Sequence, residues 1–350
     1  MRRHFLDHLR AGTVVLVLVY HVFYLYNASG AEAGVGGFAA VQYQDALLYL
    51  VYPWFMVLLF VVAGCSARYA LEKQSTKAFL RARTRKLLVP STLGLFVYHF
   101  LGGLLNLHLG GALPHLPRAL VYPIAAVAGT GPLWFIQTLW LFSMLLPLVR
   151  RLDRNDRFYA LCARATLPAL LALALPVWGG ALLGHLPVVT TYRFGIYGVA
   201  FLLGWFVFAH DAVQERLACA WRPLLLAAVV TGIAYTLYFF GRESYSSDAC
   251  LVHPFTNAYL WLTTLALLGT GKALWDKPSP RMDALARRSF GVYVTHYVVA
   301  LYACWALKNF TPLPAVCDYI LALAAVLLLS PAVYELARRV PLIRRLMFGI

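Results

Sequence analysis

Ten apolar runs, each long enough to cross a hydrocarbon core of about 30 Å, follow one another along this chain. They lie at Arg10 to Tyr26, Ala46 to Ala70, Leu87 to Leu107, Leu133 to Val149, Leu167 to Leu183, Phe194 to Ala209, Pro223 to Phe240, Phe255 to Trp275, Phe290 to Leu307 and Ala315 to Leu336. In lipid every backbone polar group must be paired within the protein, so a spanning segment is a helix or a strand of a closed barrel. Continuous apolar stretches of this length suit helices, because barrel strands are shorter and alternate in polarity. The expected class is therefore all-α, a polytopic membrane protein of about ten transmembrane helices. Ala119 to Ala128 is apolar but too short to span, and reads as interfacial or re-entrant.

The placement of charge tests that count. Lys and Arg number 30 against 14 Asp and Glu, a formal +16, and such an excess marks either nucleic-acid binding or membrane topology. Sorted into alternate loops, 26 basic residues share one side with both termini, while Arg118, Arg193, Arg242 and Lys308 fall on the other. One helix too many or too few would swap every later loop and destroy that split. The basic side is read as cytoplasmic, giving N-in and C-in, and no nucleic-acid partner is expected. With 61% hydrophobic and 13% charged residues, a single transmembrane domain over residues 1–350 is expected. A cleaved signal peptide, with Ala28 to Ala33 as its cleavage region, is the rival reading of the first run. His21 and the tyrosines Tyr20, Tyr24 and Tyr26 make a poor signal core. The six cysteines show no metal-ligand spacing, so no metal is expected. Cys250 and Cys317 would both lie near the outer surface, where a disulfide is one reading and free thiols the other.

Arg10 and His21 sit eleven residues apart on the first run. Eleven steps of about 100° is three turns plus about 20°, so both project from one face, about 16 Å apart along the axis. Intramembrane ionisable groups are costly and are functional candidates by default. The plainer readings are a topology anchor for Arg10 and an interhelical hydrogen bond for His21. A second feature is the basic stretch from Lys77 to Lys86, holding Arg81, Arg83 and Arg85 and leading to Pro90. Guanidinium forks match phosphate oxygens, and a basic run at a helix base also anchors lipid headgroups.

These segments, in their order, resemble the acyltransferase 3 superfamily of membrane-bound acyltransferases, whose members use acyl-coenzyme A as donor. Arg10 and His21 match its Arg, ten residues, His signature. Phe60 to Ser66 resembles its Phe-rich second helix, with Ala63-Gly64 where the family has Ser-Gly. Arg81, Arg83, Arg85 and Pro90 match its basic entry to the third helix, and Pro132-Leu133-Trp134-Phe135 its Leu-Trp-Phe element. Ser289-Phe290-Gly291-Val292-Tyr293-Val294-Thr295-His296 is close to its Ser-x-Gly-x-Tyr-x-x-His segment. The compact length and the ending Tyr334 to Arg339 look most like the branch of glucan-modifying succinyl- and acetyltransferases.

The resemblance implies an O-acyltransferase that moves an acetyl or succinyl group from cytoplasmic acyl-coenzyme A to a hydroxyl of an extracytoplasmic carbohydrate. Arg10, Arg81, Arg83, Arg85 and Lys86 are the candidate phosphate ligands, and His21 is the general base or the nucleophile. His296, placed by the run that starts at Phe290 in the inner half of the membrane, is expected to line the donor tunnel or to be a buried structural histidine. His99 reaches a depth like that of His21. Asp45, at the outer end of the second run, is a candidate to orient an acceptor or a histidine, with an ordinary solvated carboxylate as the plainer reading. Trp134 is a candidate to stack on a sugar of the acceptor, with Trp178 and Tyr192 as further aromatics and an interfacial aromatic belt as the plainer reading. The short loops suggest a bacterial inner membrane with lipid as the surrounding partner. The rival function is a transporter or flippase of a glycan or lipid-linked substrate, since central histidines on many helices also describe proton-coupled carriers.

Overall fold

The computed structural model describes residues 3–29, 34–183, 185–186 and 189–350, and it is almost wholly helical. The helices are α1 (His4–Leu25), α2 (Tyr43–Lys73), α3 (Thr76–Leu109), α4 (Arg118–Ala128), α5 (Gly131–Leu152) and α6 (Leu167–Leu182). They continue with α7 (Phe194–Phe208), α8 (Asp211–Cys219), α9 (Trp221–Phe239), α10 (Pro254–Trp275), α11 (Pro280–Phe310), α12 (Ala315–Ala337) and α13 (Pro341–Phe348). The one sheet among the described residues is a short antiparallel pairing of His185–Leu186 with Val189–Arg193. Residues 30–33 of the presumptive cleavage region and the Tyr192 side chain lie outside what is described.

Each of the ten expected runs is helical. Seven helices among the described residues (α1, α2, α3, α5, α9, α11 and α12) are long and apolar enough to cross a membrane, and α7 with α8, bent by 97°, would add an eighth if the pair is one span. The chain is an all-α polytopic membrane protein. Two expected spans differ for physical reasons. α6 is broken at Leu173 because Pro176 has no N–H to offer Ala172 and its ring crowds that carbonyl. α10 carries Thr256, Asn257, Thr263, Thr264 and Thr270, all buried, so this helix is lined with polar groups packed inside the protein.

By contacts the chain divides into two compact units, each assembled from separate stretches. The first comprises residues 1–13, 48–80 and 141–286. Its core gathers Trp205, Trp261, Tyr235 and Phe201, each under 2% exposed. Here α2 and α7 touch backbone to backbone. A Cβ on Gly64 would stand 2.1 Å from the Phe201 oxygen, and one on Gly204 2.1 Å from that of Val61. Glycine pairs allow such approach in membranes, where close van der Waals packing holds helices together. The position where the chain has Ala63-Gly64 is therefore a packing contact.

The second unit comprises residues 14–47, 81–140 and 287–350. It holds the later turns of α1, most of α3, the start of α5, and most of α11 with α12 and α13. α3 is interrupted by two π-helical turns, Thr84–Leu88 and Leu95–His99. The first precedes Pro90, where the Val89 N–H reaches back to the Thr84 oxygen. The wider turn accommodates a proline that cannot continue the regular ladder.

Candidate active site

His21 and His296 meet in the second unit. His296 Nε2 lies 3.2 Å from His21 Nδ1, and the ring centroids are 4.9 Å apart. Backbone carbonyls fix the protons. His21 Nδ1 lies 2.8 Å from the Val17 oxygen and His296 Nδ1 2.6 Å from the Tyr293 oxygen. A carbonyl only accepts, so both Nδ1 atoms carry hydrogen in the neutral rings. His296 Nε2 then holds a lone pair turned to the His21 Nδ1–H, and His21 Nε2 carries the lone pair of a neutral imidazole base. The tautomers follow from the hydrogen-bond partners.

The sequence around His296 builds this geometry residue by residue. Tyr293, one turn earlier, supplies the carbonyl that orients the imidazole and donates its hydroxyl to the Pro132 oxygen. Its ring meets Phe135 edge-on at 5.8 Å. The Pro132 to Phe135 element is thereby bound to α11. Thr295 donates to the Ser330 oxygen across to α12 at 3.0 Å, and its own carbonyl accepts from Tyr98 at 3.0 Å. Gly291 is required by space, since a Cβ there would sit 2.1 Å from the Tyr334 ring. Tyr297 stands edge-on to His21 at 5.1 Å.

His296 stands beside His21, deeper than the apolar run that starts at Phe290 suggests. α11 begins at Pro280, ten residues before the apolar run at Phe290. The residues from Pro280 to Ser289 are polar, and hydropathy alone does not count them as helix. His296 is therefore about 24 Å from its helix start and His21 about 26 Å from its own, at 1.5 Å per residue.

Arg10 lies in the first unit, with its guanidinium 3.0 Å from the Asp7 carboxylate one turn back and 42% of its side chain exposed. Within the basic stretch, Arg81, Arg85 and Lys86 are exposed and Arg83 is half-buried. Lys86 also lies over the Phe290 ring at 5.5 Å. Arg81 and Arg85 form no ion pair among the described residues. α13 covers the neighbouring backbone, where Gly349 at φ +65° comes against Arg85.

Asp45 is placed otherwise than expected. It is 2% exposed, and its two oxygens accept from the Ala28 N–H at 2.8 Å and from Gln42 at 3.3 Å. Gln42 in turn donates to the Tyr26 oxygen at 2.8 Å. This carboxylate braces the connection from α1 to α2. Trp134 opens the regular part of α5 and is 9% exposed, next to Phe135. Trp178 donates to the Val252 oxygen at 2.9 Å in the first unit. All six cysteines are free.

The sequence reading gave too little weight to His99. It is fully buried at the end of the second π-helical turn, and neither ring nitrogen has a partner among the described residues. It lies within electrostatic range of His296. A π-turn in a spanning helix is a common mark of a functional position, but its sequence signature is weak.

A histidine pair held by carbonyls, buttressed by the Tyr293 segment and the Pro132 element, is the geometry these motifs build. Residues 3–335 match the acyltransferase domain of acyltransferase 3 proteins. The chain belongs to the acyltransferase 3 family. No curated protein and no solved structure matches it. The match runs through both units, so this acyltransferase 3 protein is a membrane-integral acyltransferase over nearly its whole length.

Proposed function

We propose that the protein is an O-acyltransferase that moves an acetyl or succinyl group from cytoplasmic acyl-coenzyme A to a hydroxyl of an extracytoplasmic glycan, in a bacterial inner membrane with both termini inside. The observation that carries this reading is the His21–His296 pair, in which the proton on His21 Nδ1 leaves its Nε2 with the lone pair of a base.

In this reading His21 Nε2 takes the proton of the acceptor hydroxyl as its oxygen attacks the thioester carbonyl. The imidazolium that forms keeps its Nδ1–H between the Val17 oxygen and His296 Nε2, which hold the ring in place and bear part of the charge. Collapse breaks the carbon–sulfur bond, and the proton on Nε2 passes to the leaving coenzyme A thiolate. The base is then regenerated. Arg81 and Arg85 supply exposed guanidinium forks for the donor's phosphates, with Arg83 and Lys86 adding positive charge on the same stretch. Arg85 and His99 are fourteen residues apart on α3, about 21 Å along the axis, a distance on the scale of an extended pantetheine arm. Trp134 offers a ring for a sugar face.

The test is reconstitution of the purified protein in vesicles with radiolabelled acetyl- or succinyl-coenzyme A and a crude glycan pool. Label appearing on glycan supports acyl transfer. Glycan flux across the vesicle with no transfer from either donor would replace it with the carrier reading.

A further inference from the structure

The first two turns of α1 carry a second histidine pair that acyl transfer does not use. His4 and His8 stand one helical turn apart and project from one face, with ring centroids 6.1 Å apart. Facing them is Asp283 in the first turn of α11. His4 Nδ1 lies 3.8 Å from Asp283 Oδ1. One ligand-capable atom from each of the three residues lies within 4.8 Å of the others, and no other such trio occurs among the described residues.

Proximity is not the only support. His8 is 5% exposed, and its Nε2 is buried with no hydrogen-bond partner among the described residues. Its Nδ1 lies 2.9 Å from the Trp275 oxygen. Since that carbonyl can only accept, Nδ1 carries the proton and Nε2 presents a lone pair. A metal-ligating histidine is held in this way, one nitrogen on the ion and the other donating to a carbonyl. Three atoms no more than 4.8 Å apart share a centre about 2.8 Å or less from each, against zinc bonds of about 2.0–2.2 Å. Side-chain shifts of under an ångström close that gap. Two imidazoles and one carboxylate suit zinc and its neighbours, whereas magnesium and calcium call for oxygen ligands throughout.

We propose that His4, His8 and Asp283 bind a divalent transition metal of the zinc class, with water as the fourth ligand. The two helices it joins are the ones that matter most for the chemistry. α1 goes on to carry His21 and α11 goes on to carry His296, so the ion ties the N-terminal turns of both helices. The role is structural, and it is independent of which acyl group or acceptor the enzyme uses.

The experiment takes tag-free, full-length protein in detergent, strips it with a chelator, and titrates it with Zn²⁺ by equilibrium dialysis and with Co²⁺ by visible absorption. One equivalent per chain, a tetrahedral Co²⁺ spectrum and a metal-dependent rise in the thermal midpoint are expected. His8→Gln and Asp283→Asn should each weaken Zn²⁺ binding at least about tenfold while melting like the wild type without metal. If either fails to fold, His4→Gln serves instead, because that side chain is partly exposed at 17%. No saturable binding by the wild type would leave only a His4–Asp283 ion pair and overturn the proposal. Binding that ignores all three substitutions would overturn it as well.

Discussion

His296 Nε2 stands 3.2 Å from His21 Nδ1 although 275 residues separate the two in the chain. The contact joins α1 to α11 at one level. In the proposed mechanism His296 positions His21 and shares its charge without touching the reacting hydroxyl.

His296→Gln should therefore lower kcat by about a hundredfold while leaving the donor KM near the wild-type value. The pH–rate profile is the decisive readout. Loss of a positioning partner shifts the apparent ionisation of His21, whereas a merely structural change lowers the rate at every pH alike. A raised donor KM with unchanged kcat would return His296 to a tunnel-lining role.

Arg81→Ala combined with Arg85→Ala should raise the donor KM by about tenfold or more, on the scale of one or two lost charge-assisted hydrogen bonds, with kcat nearly preserved. The wild-type KM should also rise with ionic strength more steeply than that of the double variant. Equal salt dependence would argue for lipid anchoring in place of donor binding.

Asp45→Asn turns one acceptor of the α1–α2 connection toward groups that are themselves donors. A loss of about 1–3 kcal/mol of stability is expected, seen as a lower thermal midpoint, with the acceptor KM unaltered. A changed KM at unchanged stability would restore Asp45 to the acceptor site.

In the first unit, Arg68 Nη1 and Nη2 each reach an Asp156 oxygen at 2.9 Å, and the guanidinium holds that carboxyl below the usual carboxylate range. A depressed folded value contributes stability that is fully present above the unfolded value, about 3.9, and is lost as pH falls through the folded one. Asp156→Asn keeps a residue tolerant of its left-handed conformation at φ 50°. The variant should melt lower than the wild type above about pH 5, with the gap narrowing in acid. It should stay modest and shrink with salt, because the Asp156 side chain is 56% exposed.

What could be read from the chain follows from which signals are local. The apolar runs and the Arg10 to His21 spacing lie within single helices, and Tyr293 to His296 within one turn, so helical periodicity exposes them. Contacts between distant residues leave no such mark. The pairing of His296 with His21 was hidden because the polar start of α11, Pro280 to Ser289, does not register as a span. The commitment of Asp45 to Ala28 and Gln42 was hidden because it depends on how an irregular loop folds back. The His4 and His8 spacing is legible at i, i+4, but Asp283 comes from the far end of the sequence. A search centred on cysteine spacing passes over it.

The measurement that bears most directly on the central claim is single-turnover acyl transfer by His21→Ala in vesicles, with donor binding measured on the same preparation. Donor affinity should match the wild type while the rate of label transfer to glycan falls by at least about a hundredfold. Transfer at the wild-type rate in His21→Ala would contradict the assignment of His21 as the base.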